Sequence, residues 1–569
     1  MKKLIFICVT VFLVAFLGYQ YVETGFSDHV MAKVRKTLKV TPQNEESKKT
    51  ISTAIDSKVL EEQKNKEESF LKDSAGSTLN DPYIKVNPYG NAPLSAVVIF
   101  DTEDAAKISF TVKGKEKDVN INKTIKGYSK HHQLSILGLY AGQENIVKIT
   151  ATSKGGKVKT KIVKIKTAKL PDAVPTISIE KIDKEKMENV ENGLTFAVPS
   201  TKYAIGFDSN GDIRWYSAIY NSHVFKLLDN GHLLCLGKDT NSGEAYNRLY
   251  EMDFSGKIYQ AYAISEKNPV AESEGSEKTM VHHDAIELPS GNLLLTVNDG
   301  GGKYIEDTMI ELDRKTGKIV KTIDLKDILP VSFYENYNST TREDGLIDWF
   351  HQNSIAYDEK DDSIIISGRN QDTVMKLNYK TNEIIWILSD EEGWPEEYQR
   401  YLIKGIGDNF KFPGGQHAPI ILSESETDNN SETIDLLLYD NNVTVTRGDN
   451  TRSKQYSAAA QYRINEKTKT AERVWTYGAE RGEALFTNII GSARYMEDTG
   501  NRLVNFGWVK LGKESHIVEV DNQDQASVVF EAVLSDFPTG AWAYRAERLS
   551  LYPEVKSSRI NSGVRAVNE

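Results

Sequence analysis

The sequence predicts an all-β protein: a six-bladed β-propeller preceded by a small N-terminal β-sandwich, with a membrane-anchor or signal segment ahead of both. Three observations predict it. A turn motif recurs beyond residue 175, short alternating strands crowd residues 82–171, and an apolar run of about twenty residues follows Met1-Lys2-Lys3.

The run LIFICVTVFLVAFLGYQYV is long enough to cross a bilayer, and the lysines before it orient the body of the chain away from the cytoplasm. Residues 1–26 therefore read as an anchor or signal peptide, an anchor being favoured because no A-x-A cleavage site follows. The expected location is the extracellular face of the cell membrane, or secretion. Residues 27–81 are rich in Lys, Glu, Ser and Gln and read as a charged stalk, with VLEEQKNKEESFLKD as an exposed helix carrying i,i+4 Glu/Lys pairs. Residues 82–171 read as the sandwich, KIVKIKT being its clearest strand. AKLPDAVP is the linker out of it.

Residues 176–555 read as the propeller. FDSNGDIRWY, MDFSGKIYQAY, LDRKTGKIVKTI, LNYKTNEIIWIL, INEKTKTAERVWTY and VDNQDQASVVFEAV each join an apolar strand end to an alternating strand through a polar turn. Their spacing of roughly 50 to 85 residues suits blades with polar insertions. Stacked radially, such units hide their strand edges without disulfides. Residues 556–569 are left as a tail.

Composition excludes some functions. Seventy Lys+Arg against 81 Asp+Glu give a charge of −11, and the lysines read as scattered surface residues, so nucleic acid is not a partner. Of two cysteines, Cys8 lies in the apolar run, which leaves Cys235 without an intramolecular partner. No Cys/His cluster has zinc spacing, and neither a metal nor a cofactor is expected.

A second element repeats with the turns. Ser222-His223, His282-His283, His351-Gln352, Gln416-His417 and Gly491-Ser492 each precede an apolar strand, and registering those strands puts the dyads in a ring at the mouth of a central channel. His29, His131, His132, His232 and His516 read as structural. Converging imidazoles can bind a metal, shuttle protons, act as nucleophiles or cradle an anion. Only Asp284 supplies a carboxylate within the dyad segments, whereas Asn353 and Arg369 offer donors for an anionic group. An oxyanion-transfer site is therefore favoured over a metal site. Trp349, Phe350 and Trp508 are aromatics near the ring that could stack on an aryl substrate.

From about Tyr83 to Tyr552 the chain resembles the bacterial arylsulfate sulfotransferase family. NPYGNAPLSA and LSILGLYAGQENIV carry the resemblance in the sandwich. HHDAIELPSGN, DWFHQNSIAYD, ISGRNQDTVMKLN, GQHAPI, YGAERG and YRAERLSLY carry it in the propeller. The resemblance implies a ping-pong reaction without a nucleotide sulfate donor. A sulfuryl group would pass from a phenolic sulfate ester to an enzyme histidine and then to an acceptor phenol. By position, His417 matches the transiently sulfated histidine, while His351, Asn353, Arg369 and one of His282 and His283 match residues around the transferring group. Catalytic roles are thus expected for His417, His351, Arg369, His282 and His283, and substrate contacts for Asn353 and, from its ring position, Ser492. The resemblance also suggests a homodimer. The chain departs from the family in two ways: it cannot form the internal disulfide of the Gram-negative members, and Ala418 stands where an acidic residue is common. The alternative reading is a surface-anchored propeller that binds sulfated or aromatic ligands without turnover. A metal-dependent hydrolase on a propeller is a third.

Overall fold

The computed structural model describes residues 51–238, 246–266, 280–298, 303–337, 345–422, 430–447, 455–523 and 525–555; the expected anchor at 1–26 and tail at 556–569 lie outside them. Among the described residues no helix is long and apolar enough to cross a membrane.

Beyond residue 175 the strands form six antiparallel blades of four strands, some extended at the outer edge. The innermost strands of blades 1 to 5 are Tyr220–Leu227, Val281–Glu287, Gln352–Asp358, His417–Ile421 and Ser492–Tyr495. Blade 6 closes the ring: its innermost strand, Ala543–Ser550, pairs with Gly193–Pro199 from the other end of the propeller. The repeated turns join the third and fourth strands of each blade. In all six, the carboxylate or amide of the leading residue (Asp208, Asp253, Asp313, Asn378, Asn465 or Asp521) accepts a backbone N–H further along the turn. That side-chain mimic of a backbone turn is why an Asp or Asn recurs there.

Apolar clusters fill the spaces between neighbouring blades. Leu234, Leu236 and Leu295 join blades 1 and 2; Leu294, Ile366 and Met375 join 2 and 3; Ile365, Leu436 and Leu438 join 3 and 4. Because blades pack through both faces, their inner strands are apolar on both sides. The sandwich, a six-stranded antiparallel domain built on the long strand Ala96–Val112, shares one core with blades 5, 6 and 1. The fully buried Arg214 of blade 6 ties the two domains by donating to Gly138 O at 2.8 Å and Val119 O at 3.0 Å, its charge balanced by Asp208 at 2.9 Å.

One expectation is corrected. Residues 51–73 of the segment read as a stalk are folded onto the propeller. Ile51–Ile55 adds a fifth strand to the outer edge of blade 1, paired with Tyr262 to Glu266, and helix α1 (Ser57–Asp73) follows. Asp56 accepts from Val59 N to cap the helix and pairs with Arg248 at 3.1 Å. Glu67 pairs with Lys257 at 2.8 Å, and Phe70 is buried beneath Tyr89. Composition suggested solvation because only a few positions of α1 face inward; those few meet complementary partners.

Candidate functional site

The ring residues start from the bulged beginnings of the innermost strands. Strand pairing sets Phe225, Ala285, Ile355, Ile421, Ala493 and Ala546 opposite Cys235, Leu295, Ile366, Leu436, Val504 and Ala197. Two residues upstream in blades 1, 2 and 6 lie His223, His283 and Tyr544. His351 and His417 begin four residues upstream, so the register inferred by aligning the dyads shifts in blades 3 and 4. The register breaks in these strands bring the rings together all the same. His223 lies 4.9 Å from His283, His283 lies 4.5 Å from His351, and Tyr544 lies 4.3 Å from His223 and 6.3 Å from His417, ring centre to ring centre.

The backbone is left-handed at His223 (φ 52°), Glu306 (58°), His351 (54°) and Ala418 (53°). Non-glycine residues hold that conformation at a cost on the order of 1–3 kcal/mol each, so the surrounding packing must impose it. Around His351 and Arg369, Phe350 lies flat against Gly368, where a Cβ would come within 2.4 Å of the ring. Before His417, the amide of Gln416 donates to Ser367 Oγ (3.0 Å) and Thr373 O (2.9 Å), and Asp372 accepts from Gly415 N at 2.7 Å.

His417 is buried, and its Nδ1 lies 2.7 Å from Asn441 Oδ1. Asn441 cannot turn its amide round, because Nδ2 donates to Thr487 O at 2.8 Å and Ile490 O at 3.1 Å. His417 must therefore donate through Nδ1–H, which puts the lone pair on Nε2. Burial, then the charges of Arg369 and His351, holds this imidazole well below its ordinary range and neutral at pH 7.

His351 is the opposite case. Its Nδ1 lies 2.5 Å from Asp348 Oδ2 and 2.8 Å from Glu306 Oε2. Burial would lower it, but the two carboxylates outweigh burial and hold it at about 10, as an imidazolium. Glu306 is itself kept well below the usual carboxylate range, its burial overcome by His351 and His283. His223 donates to Ser222 Oγ at 2.6 Å, since that hydroxyl is spent on Ser200 O; burial and Arg545 push it down to about 3. Burial keeps His282 and His283 neutral as well.

Of the expected pair, His283 meets the rings of His223, His351 and Tyr544, while His282 meets His283 edge to face, Nδ1 to Nδ1 at 3.0 Å. Arg369 donates to Asn370 Oδ1 at 2.8 Å and leaves Nε buried and unbonded. Asn353 donates to Gln416 O at 2.7 Å, and its own carbonyl accepts from Arg545 at 2.9 Å, so it fixes the backbone beside His417. Ser492 does not join the cluster: its Oγ accepts from Ala546 N of the neighbouring strand. Trp349 and Phe350 are fully buried in the core between blades 2 and 3.

Beneath the ring, Asp284 gathers Arg545 at 3.0 Å, Lys226 at 3.1 Å and Ile355 N at 3.0 Å, joining four blades in one buried ion cluster. The sequence reading missed Tyr544, Glu306, Asp348 and Asn441. Extending the strand register to the sixth blade finds Tyr544, and Asp348 stands three residues before His351. Glu306 and Asn441 arrive from loops that carry no periodic signal. Two triads, His282, His283 and Glu306, and Glu306, Asp348 and His351, bring potential metal-ligating atoms within 4.8 Å of one another. Both run through Glu306, whose charge is already matched by His351.

The arylsulfotransferase (ASST) family profile matches residues 180–545, and the arylsulfotransferase Ig-like domain matches residues 83–168. The chain is 25% identical to the arylsulfate sulfotransferase AssT of Escherichia coli O6:H1 (strain CFT073), over 80% of this chain and 90% of that one. It is 24% identical to AssT of Lelliottia amnigena, over 83% of this chain and 92% of that one. Among solved structures, the periplasmic gluconolactonase PpgL of Pseudomonas aeruginosa aligns with 78% of this chain and all of its own length at 8% identity and a TM-score of 0.30. With the catalytic family's profile covering more than half of its length, the chain belongs to the arylsulfotransferase family of sulfotransferase enzymes.

Proposed function

We propose that this aryl-sulfate sulfotransferase works by a ping-pong mechanism through a sulfuryl group carried on His417. The observation that carries the reading is the opposite setting of the two histidines: His417 neutral with its Nδ1 proton committed to Asn441, His351 held protonated between two carboxylates. Groups whose surroundings drive their pKa values apart are the natural nucleophile and acid of such a site.

In the first half-reaction, His417 Nε2 attacks the sulfur of the aryl sulfate. The N–S bond forms as the S–O bond to the aryl group breaks, and the departing phenolate takes a proton from His351. Arg369, with its free Nε, meets the negative oxygens of the transferring group. His351 is left neutral and so becomes the base for the second half-reaction. It removes the proton of the acceptor phenol, whose oxygen takes the sulfuryl group from His417. A phenol ionises near 10, and so does His351, so proton transfer is close to balanced in both directions. Asn441 holds the His417 tautomer, and Asp348 with Glu306 holds the His351 proton.

The test is phenol release from an aryl sulfate with no acceptor present. One equivalent per active site, followed by a halt until a phenol is added, is the expected result. No release without an acceptor would mean direct transfer in a ternary complex, or binding alone, and would overturn the reading.

A further inference from the structure

The lysines of this acidic chain are not evenly spread. Residues 83–169 hold sixteen lysines and no arginine against six Asp and Glu, so the sandwich carries +10 while the remainder carries −21. Strand pairing gathers five of these lysines on one face of the sheet. Across Ala96–Val112 and the residue after it, Glu144–Ser153 and Val158–Lys166, one row reads Lys113, Ile146, Lys164 and the next Thr111, Lys148, Ile162. Lys107 and Val158 flank Thr152, and Lys166 faces Glu144. Of the five, Lys164 alone forms an ion pair among the described residues, with Glu144 at 2.7 Å. The opposite face, with Ile108, Val147, Ile149 and Val163, is the buried core. Between the lysines stand aliphatic side chains in water: Val158 is 59% exposed, Ile162 50% and Ile146 37%. The domain holds the propeller elsewhere, through Asn91, Ser95, Lys115, Asn122 and Leu137.

We propose that this face docks on the surface of an anionic lipid bilayer. Charge complementarity selects an anionic partner, since the rest of the chain is itself acidic. The interleaved aliphatic residues select a bilayer over a soluble polyanion: the headgroup boundary offers apolar surface to Ile146, Val158 and Ile162, and attraction of lysines to anionic headgroups adds to that burial. A sulfated or phosphorylated polymer would satisfy the lysines and leave the aliphatics in water.

The test places a reporter on the face itself, so that the N-terminal apolar run does not decide the outcome. The full chain carrying Cys8→Ser and Ile162→Cys is labelled with an environment-sensitive fluorophore and mixed with vesicles of phosphatidylcholine, alone or with one-third phosphatidylglycerol. A blue shift with the anionic vesicles only, lost at high salt and in the added Lys113→Glu, Lys148→Glu, Lys166→Glu background, is expected. An unchanged melting temperature and unchanged phenol release in that background exclude misfolding. No shift with either vesicle, or the same shift with both, overturns the proposal. A shift with polyphosphate and none with either vesicle would also overturn it and assign the face to a polymer.

Discussion

The beginnings of blade 3 and blade 4 deliver a histidine each, from dyads that differ in sequence only by the order of His and Gln. Their surroundings make them chemical opposites. His351 meets two carboxylates and keeps its proton to about 10, whereas His417 meets an amide oxygen and a nearby arginine and stays neutral. The difference comes from Glu306, Asp348, Asn441 and Arg369. Residue type thus places an imidazole at the site, and its neighbours decide whether it rests neutral or protonated.

Removing the neutral member, the proposed nucleophile, is expected to have the greatest effect. His417→Ala is expected to lower turnover by roughly 10⁴-fold or more and to abolish acceptor-free phenol release, measured by stopped-flow absorbance. Removing the donor should be graded: His351→Gln is expected to cost about 10² to 10⁴-fold with poorly leaving phenols and much less with acidic nitrophenols. A loss independent of leaving group would remove His351 from the acid role. Asn441→Ala, which frees the His417 tautomer, is expected to cost about 10- to 100-fold in kcat with the sulfuryl group still formed on the same residue.

How much of this was legible beforehand follows from where each residue sits. The Asp/Asn turn repeats exposed six blades because every copy uses the same side-chain cap. The dyads exposed the histidines because strand starts recur with the blades. Glu306 and Asn441 were hidden because they come from loops next to other strands, Thr308–Leu312 and Thr433–Asp440, and meet the histidines only in the folded chain. The 51–73 segment reads as solvated because the charges of Asp56 and Glu67 find their partners, Arg248 and Lys257, far away in the chain.

Two smaller effects are expected through pH. His351 binds its proton more tightly folded than unfolded, so it stabilises the fold fully below about pH 6.5 and loses that contribution as pH rises through about 10. Asp348→Asn should therefore move the alkaline limb of kcat/KM toward neutral by roughly one unit or more and flatten the fall of melting temperature over that window. His223, His282, His283 and His417 are held neutral, so the sign reverses: stability is present above about pH 6.5 and lost as pH falls below it. Calorimetry of His223→Phe should show a shallower acid-side decline than the wild type.

On the proposed mechanism His417, and not its protonated counterpart, carries the sulfuryl group. Peptide mass mapping after incubation with an aryl sulfate and no acceptor tests it most directly. One sulfuryl adduct is expected, on the peptide containing His417, discharged by phenol and absent from His417→Ala. An adduct on His351 or His283, or one that persists in His417→Ala, would contradict it.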